Sequence, residues 1–179
     1  MIRHSRIVAT MTKKRLAVLL VAGAVFFTAT ALAGAALMTP NSGVIFSSVV
    51  ARAGFVDPTD LKFKVQGQGQ EVTLVANARE TVMQQVIIAP GGYTGWHSHP
   101  GPVVVLVKAG TLTFYAGDDP TCTGRVYTAG QAFIDRGQGH VHIGRNEGSE
   151  NLELWSAYFD VPPGSPFRID APNPGNCAF

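Results

Sequence analysis

Residues 91–99 read GGYTGWHSH and residues 137–146 read GQGHVHIGRN. Together they hold four of the chain's five histidines, as two His-x-His pairs: His97 with His99, and His140 with His142. In an extended strand side chains alternate faces, so residues two apart point the same way. Two such strands lying side by side would gather three or four imidazoles, a donor set that suits a borderline divalent metal. Two unrelated surface pairs are the blander reading of the same residues. The fifth histidine, His4, stands in a basic N-terminal stretch.

The flanking segments are short and rich in Val, Ile, Thr and aromatics, with Gly and Pro between them. This is the pattern of strands and turns. The expected strands are 44–50, 71–75, 81–89, 95–99, 103–108, 111–116, 125–127, 132–135, 140–146 and 152–159. One helical turn is expected from Pro58 to Lys64, with Asp57 as its cap. Many strands without crossover helices predict an all-β fold, an antiparallel sandwich or barrel. By alternation Leu112 and Phe114 share one face, and Val103, Val105 and Val107 would form an apolar pocket wall opposite the histidines. Trp96 faces away from His97 and is expected in outer-sheet packing. Trp155 is expected in the core, and Arg145 with Glu147 as a solvated pair.

From Gly91 onward the chain resembles the cupin superfamily. The first cupin motif is G-x5-H-x-H, then three or four residues, E, six residues and G; Gly91, His97, His99 and Gly110 match it. The second is G-x5-P-x-G-x2-H-x3-N. Gly130 opens it one residue early, Gly137 takes the proline position, and Gly139, His142 and Asn146 follow in register. The resemblance implies a single antiparallel barrel, the double-stranded β-helix jelly roll. It also implies a metal site of three histidines and a carboxylate. His97, His99 and His142 fill the histidine positions, but Val103 stands where the motif usually has Glu. A neutral three-histidine set still holds a divalent ion with open positions, and it favours Zn²⁺, Cu²⁺ or Ni²⁺ over harder ions such as Mn²⁺. Some cupins resembling thiol dioxygenases use such a set, which keeps Fe among the candidates. His140 is expected at the solvent side or as a partner behind the ligands, with direct ligation the lesser alternative.

The formal charge of +2 hides an asymmetry. The leader takes five of the fourteen cations and none of the twelve acids, so the rest of the chain carries nine against twelve. That domain has no basic stripe and is not expected to bind nucleic acid. The leader's cations precede the uncharged run Leu16 to Met38, which reads as an export signal, or as an anchor helix about 35 Å long if uncleaved. Met11 is as good a start as Met1. Expected organisation is a signal peptide or membrane anchor over 1–38, a linker and N-terminal edge strand over 39–65, the barrel over 66–162, and a proline-rich tail over 163–179. Cys122 and Cys177 suit an oxidising compartment, where a disulfide between them would pin that tail. The protein is therefore expected to be secreted, or anchored at the outer face of the cytoplasmic membrane.

Phosphate-cradling and nucleophile-elbow motifs are missing from the sequence, and Ser98 points away from its flanking histidines. Three functions remain: a barrel that binds a divalent metal and/or a small ligand, a metal-dependent oxygenase or isomerase acting on a small organic substrate, and an inert structural barrel. Pairing through the Val44–Val50 edge into a homodimer is a further expectation, by analogy with cupins.

Overall fold

The computed structural model describes residues 38–179 except Gln68. The leader before Met38 lies outside the described residues. Among those described, no helix is long and apolar enough to cross a membrane. Twelve strands follow in chain order: β1 Ser42–Gly54, β2 Leu61–Gly67, β3 Gly69–Val75, β4 Glu80–Tyr93, β5 His97–Ser98, β6 Val103–Ala109, β7 Thr111–Ala116, β8 Arg125–Thr128, β9 Ala132–Asp135, β10 His142–Arg145, β11 Leu152–Val161 and β12 Ile169–Asp170.

The strands form a nearly closed antiparallel barrel. One wall runs β1-β4-β11-β6-β9 and the other β12-β5-β10-β7-β8, joined where Arg145 of β10 pairs with Tyr93 of β4. Alternation decides what lies between the walls. Along β11, Leu152, Leu154, Ser156 and Tyr158 point inward, and across from them Val82, Gln84, Val86 and Ile88 of β4 do the same. Ile88, Val107, Leu112, Leu152 and Leu154 form one inner cluster, and Val82, Val103, Tyr158 and Val161 another. Each fully buried aliphatic side chain contributes about 1.5–3 kcal/mol. Asn146, fully buried, ties the turn after β10 to the core by donating to the Ile88 and Glu150 carbonyls.

Three expectations are corrected here. The helical turn expected over Pro58 to Lys64 is instead the entry to β2, which pairs with β3 in a separate hairpin. Leu61, Phe63 and Val65 alternate with Lys62, Lys64 and Gln66, and this period of two overrides the capping signal. Trp155 is not in the core: its strand phase turns it outward with Glu153, whose carboxylate accepts the indole N–H. The strands carrying the histidines are also shorter than expected, since β5 has two residues and β10 begins at His142.

The tail covers the outside of the second wall. Cys122 and Cys177 are joined as a disulfide, with Cα atoms 5.3 Å apart. Cys177 packs on Trp96 and Ile143. Trp96 thus faces away from His97, yet the tail leaves none of it exposed. Ala171 N–H donates to the Trp96 carbonyl, and the Asn176 amide donates to the Ala116 and Asp119 carbonyls. Arg145 pairs with Glu147 and lies 4.0 Å from the Phe179 ring centre, so tail contacts reach the last residue.

Candidate metal centre

His97 and His142 are directly opposite in the β5–β10 pairing. His99 shares the face of His97, because the chain stays extended through Ser98. The three rings lie 4.4 to 5.1 Å apart between centres, and each residue is buried. One nitrogen of each falls within 4.8 Å of the other two, so this group could hold a metal ion.

Backbone carbonyls decide which nitrogen is free. The Nδ1–H of His97 donates to the Gly95 carbonyl at 2.9 Å, that of His99 to Phe167 at 2.8 Å, and that of His142 to His140 at 3.2 Å. A carbonyl can only accept, so each Nδ1 carries the proton and each Nε2 keeps its lone pair. The donor set therefore fits a divalent ion. Burial, aided by the neighbouring imidazoles, drives the His97 pKa far below its ordinary value and that of His99 down to about 3. Burial lowers His142 too, although Asp135 opposes the shift. At neutral pH all three are uncharged, the form that ligates metal.

The second pair behaves differently. Gly139, at φ +83°, turns the chain, and His140 precedes β10 instead of belonging to it. Gly137 just before it cannot be replaced without a shift, since a Cβ there would come 1.8 Å from the Gly101 carbonyl oxygen. The turn sends His140 away from the three imidazoles and toward Asp135. Its Nδ1 donates to Asp135 Oδ1 at 2.7 Å, and its Nε2 faces Asp118 Oδ1 at 3.3 Å. Burial opposes charging His140, but the two carboxylates prevail and raise its pKa.

Asp135 ends β9 and is almost wholly buried. Its Oδ2 accepts the Gly137 N–H at 3.1 Å, and its Oδ1 lies 3.7 Å from His142 Nδ1. Burial works to raise this carboxyl's pKa, but the hydrogen bond from His140 and the field of His142 hold it below the ordinary value. Asp135, His140 and His142 form a second cluster with ligand atoms within 4.8 Å. Asp135 was legible in one respect: in the apolar strand AFID it shares the inward phase of Phe133. Phe167 carried no such signal, because it acts through its backbone carbonyl.

A cavity of about 160 Å³ opens between the walls, with the three imidazoles at one part of its lining. Val86, Val103, Val105, Leu112, Phe133 and Leu154 make its apolar wall; Gln84, Ser156, Tyr158 and Arg168 add polar groups. Val103 and Val105 line it as the alternation requires, while Val107 lies in the adjoining core. Tyr158 donates to Gln84 Oε1 at 2.6 Å, and burial pushes its pKa up to about 12, so it stays protonated.

Residues 84–162 match the family model described as Cupin domain. Among solved structures, the chain is similar to oxalate oxidase at 26% identity, with 45% of this chain and 41% of that one covered and a TM-score of 0.40. It is also similar to an uncharacterized conserved protein with a double-stranded β-helix domain from Klebsiella pneumoniae (20% identity, 75% and 90% covered, TM-score 0.48). A cupin domain from Bordetella pertussis is a third (17% identity, 60% and 100% covered, TM-score 0.40). The chain spans about two fifths of the length of the oxalate oxidase it matches. No curated protein matches it.

Proposed function

Since the chain belongs to the cupin superfamily, we propose that it binds a divalent metal through His97, His99 and His142 and a small ligand in the adjoining cavity. The observation that carries this reading is the convergence of three Nε2 lone pairs whose opposite nitrogens are all tied to backbone carbonyls. Neutral nitrogen donors favour Zn²⁺, Cu²⁺ or Ni²⁺ over Mn²⁺, with Fe²⁺ weaker in the affinity order. When bound, the ion supplies a Lewis acid at the polar part of the cavity. The protein does the rest. The valine and leucine wall excludes water, and a cavity well under the ~300 Å³ of typical ligand pockets limits the ligand to a few heavy atoms. Arg168 joins the lining with its guanidinium paired to Asp170 and donating to the Thr94 carbonyl, which fixes it at the cavity edge.

The test is elemental analysis of the chain purified without a metal-binding tag, beside a His97→Ala/His99→Ala control. Near one metal per chain, lost in the control, is expected. No metal after reloading with Zn²⁺, Cu²⁺ and Mn²⁺ sinks the proposal. A second reading, oxygenase or isomerase turnover, is favoured by the shared lining: a ligand in this cavity would meet the imidazole centre directly. Depletion of a small organic substrate by the metal-loaded protein separates turnover from capture.

We place this activity outside the cytoplasm, secreted or held at the membrane surface by the leader. The cationic apolar leader and the Cys122–Cys177 disulfide support this. Cell fractionation tests it. The outer edge of β1, with Ile45, Phe46, Val49 and Val50 exposed, supports pairing of two copies, which sedimentation would detect.

A further inference from the structure

We infer that Asp135 is the anionic partner of the imidazole centre, supplying from the neighbouring strand the charge that position 103 lacks. This rests on the metal-binding reading above and concerns a residue outside its ligand set. In the β6–β9 pairing Val103 stands directly opposite Asp135. Both line the cavity. Directly opposed residues of an antiparallel pair keep their Cβ atoms about 5 Å apart. The carboxylate missing from β6 is thus present one strand away, at the same level of the wall.

Its orientation defines its role. One nitrogen of each histidine lies within 4.8 Å of the other two, and the carbonyl-bound Nδ1 atoms leave Nε2 as the free donor, whereas the carboxylate stands on the Nδ1 side of His142, at 3.7 Å. Asp135 is therefore behind a ligand and not among the ligands. The His142 Nδ1 proton goes to the His140 carbonyl, so Asp135 does not accept it; its charge raises the ring's basicity as a donor through space. It also offsets part of the charge a divalent ion brings to a neutral, buried donor set. His140 holds Asp135 from the far side at 2.7 Å, and Gly137 N–H fixes the second oxygen, so the carboxylate cannot swing forward without breaking both. The ring protons of His140 and His142 argue against a separate ion among Asp135, His140 and His142. Such an ion would have to displace the His140 proton and the His142 proton that now serve hydrogen bonds. Asp135 is accordingly a positioning residue, reached from the surface through His140, Asp118 and Arg136.

The experiment measures Zn²⁺ and Co²⁺ affinity of the full chain by chelator competition, together with the visible absorption of the Co²⁺ form. Asp135→Asn is expected to bind about 10–100-fold more weakly, the range for carboxylates behind ligating histidines, with shifted Co²⁺ bands. Adding Val103→Glu in the Asp135→Asn background is expected to return affinity to the wild-type range. Because a glutamate at 103 takes the motif's own carboxylate position, Val103→Glu alone completes the cycle: a gain as large with Asp135 present as without it makes the two carboxylates independent and overturns the inference. Unchanged affinity in Asp135→Asn overturns the inference, as does a double variant no better than the single one. Should Asp135→Asn fail to fold, Asp135→Glu decides: wild-type affinity with the charge kept supports the inference, and a loss of about 10–100-fold overturns it. If the wild-type chain binds neither ion, the proposed function itself fails and the inference falls with it.

Discussion

The two His-x-His pairs share a sequence pattern and have opposite fates. At His97 and His99 the chain stays extended, both rings enter the barrel, and burial keeps them neutral. At His140 and His142 a glycine at φ +83° breaks the extension, so only His142 enters. His140 instead lies between two carboxylates that favour its charged form. Spacing of two residues brings side chains together only while the backbone remains a strand. Where it turns, the pair divides into a ligand candidate and a charge-carrying partner.

Four measurements would break or sharpen this contrast. His99→Ala should weaken metal binding about 1,000-fold, beyond the 10–100-fold expected for residues behind the ligands. Calorimetry showing a loss no greater than that of His140→Ala would erase the distinction between the pairs. Next comes the tail. Removing the disulfide with Cys122→Ser/Cys177→Ser should cost about 4 kcal/mol of stability by the loop-closure estimate, measured by urea unfolding. Because Phe167 holds His99, metal affinity should fall as well, while the His140–Asp135 contact keeps its partners. Unchanged stability would mean that the tail is held by its other contacts.

The pH dependence of the metal-free protein should divide along the same line. His99 titrates near 3 when folded and near 6.5 when unfolded, so the unfolded chain takes up its proton first. Its stabilising contribution is present above pH 6.5 and falls as pH drops toward 3, by about 3 kcal/mol at pH 4. His140 has the opposite sign: its raised pKa contributes stability below 6.5 that is lost as pH rises through the folded value. Unfolding midpoints of wild type, His99→Ala and His140→Ala between pH 4 and 8 should show a flatter acid limb in the first variant and a steeper alkaline gain in the second. Parallel curves would contradict this assignment. Smallest of the four, His140→Ala should weaken metal binding about tenfold, since it acts only through Asp135. Loss of binding as complete as in His99→Ala would make His140 a ligand.

Much of the fold was legible because strand signals are local. The alternation in Leu152–Tyr158, the glycines at turns and the motif positions from Gly91 to Asn146 each need only a few neighbouring residues to be read. The errors came where two local signals competed. Asp57 and Pro58 signalled a helix start, yet the alternation from Leu61 decided the strand. Trp155 was expected in the core from its place in a core-like strand, but the phase set by Leu154 and Ser156 turned it out.

By itself, the sequence determined an all-β cupin barrel, the candidate metal set His97, His99 and His142, and the neutrality of that set at Val103. Strand alternation and the His-x-His spacing carry the all-β fold and the gathering of imidazoles; the cupin barrel, the choice of three histidines and the missing carboxylate are what the motif resemblance implies. The tertiary structure decided that all three Nε2 atoms are bare: Gly95 and His140 hold the protons of histidines two residues on, but the Phe167 carbonyl that holds the His99 proton comes from a segment far along the chain. It also decided that Asp135 lies opposite Val103, more than thirty positions along the chain. Strand pairing sets such neighbours, and the register between β6 and β9 is a property of the closed barrel that neither strand carries alone.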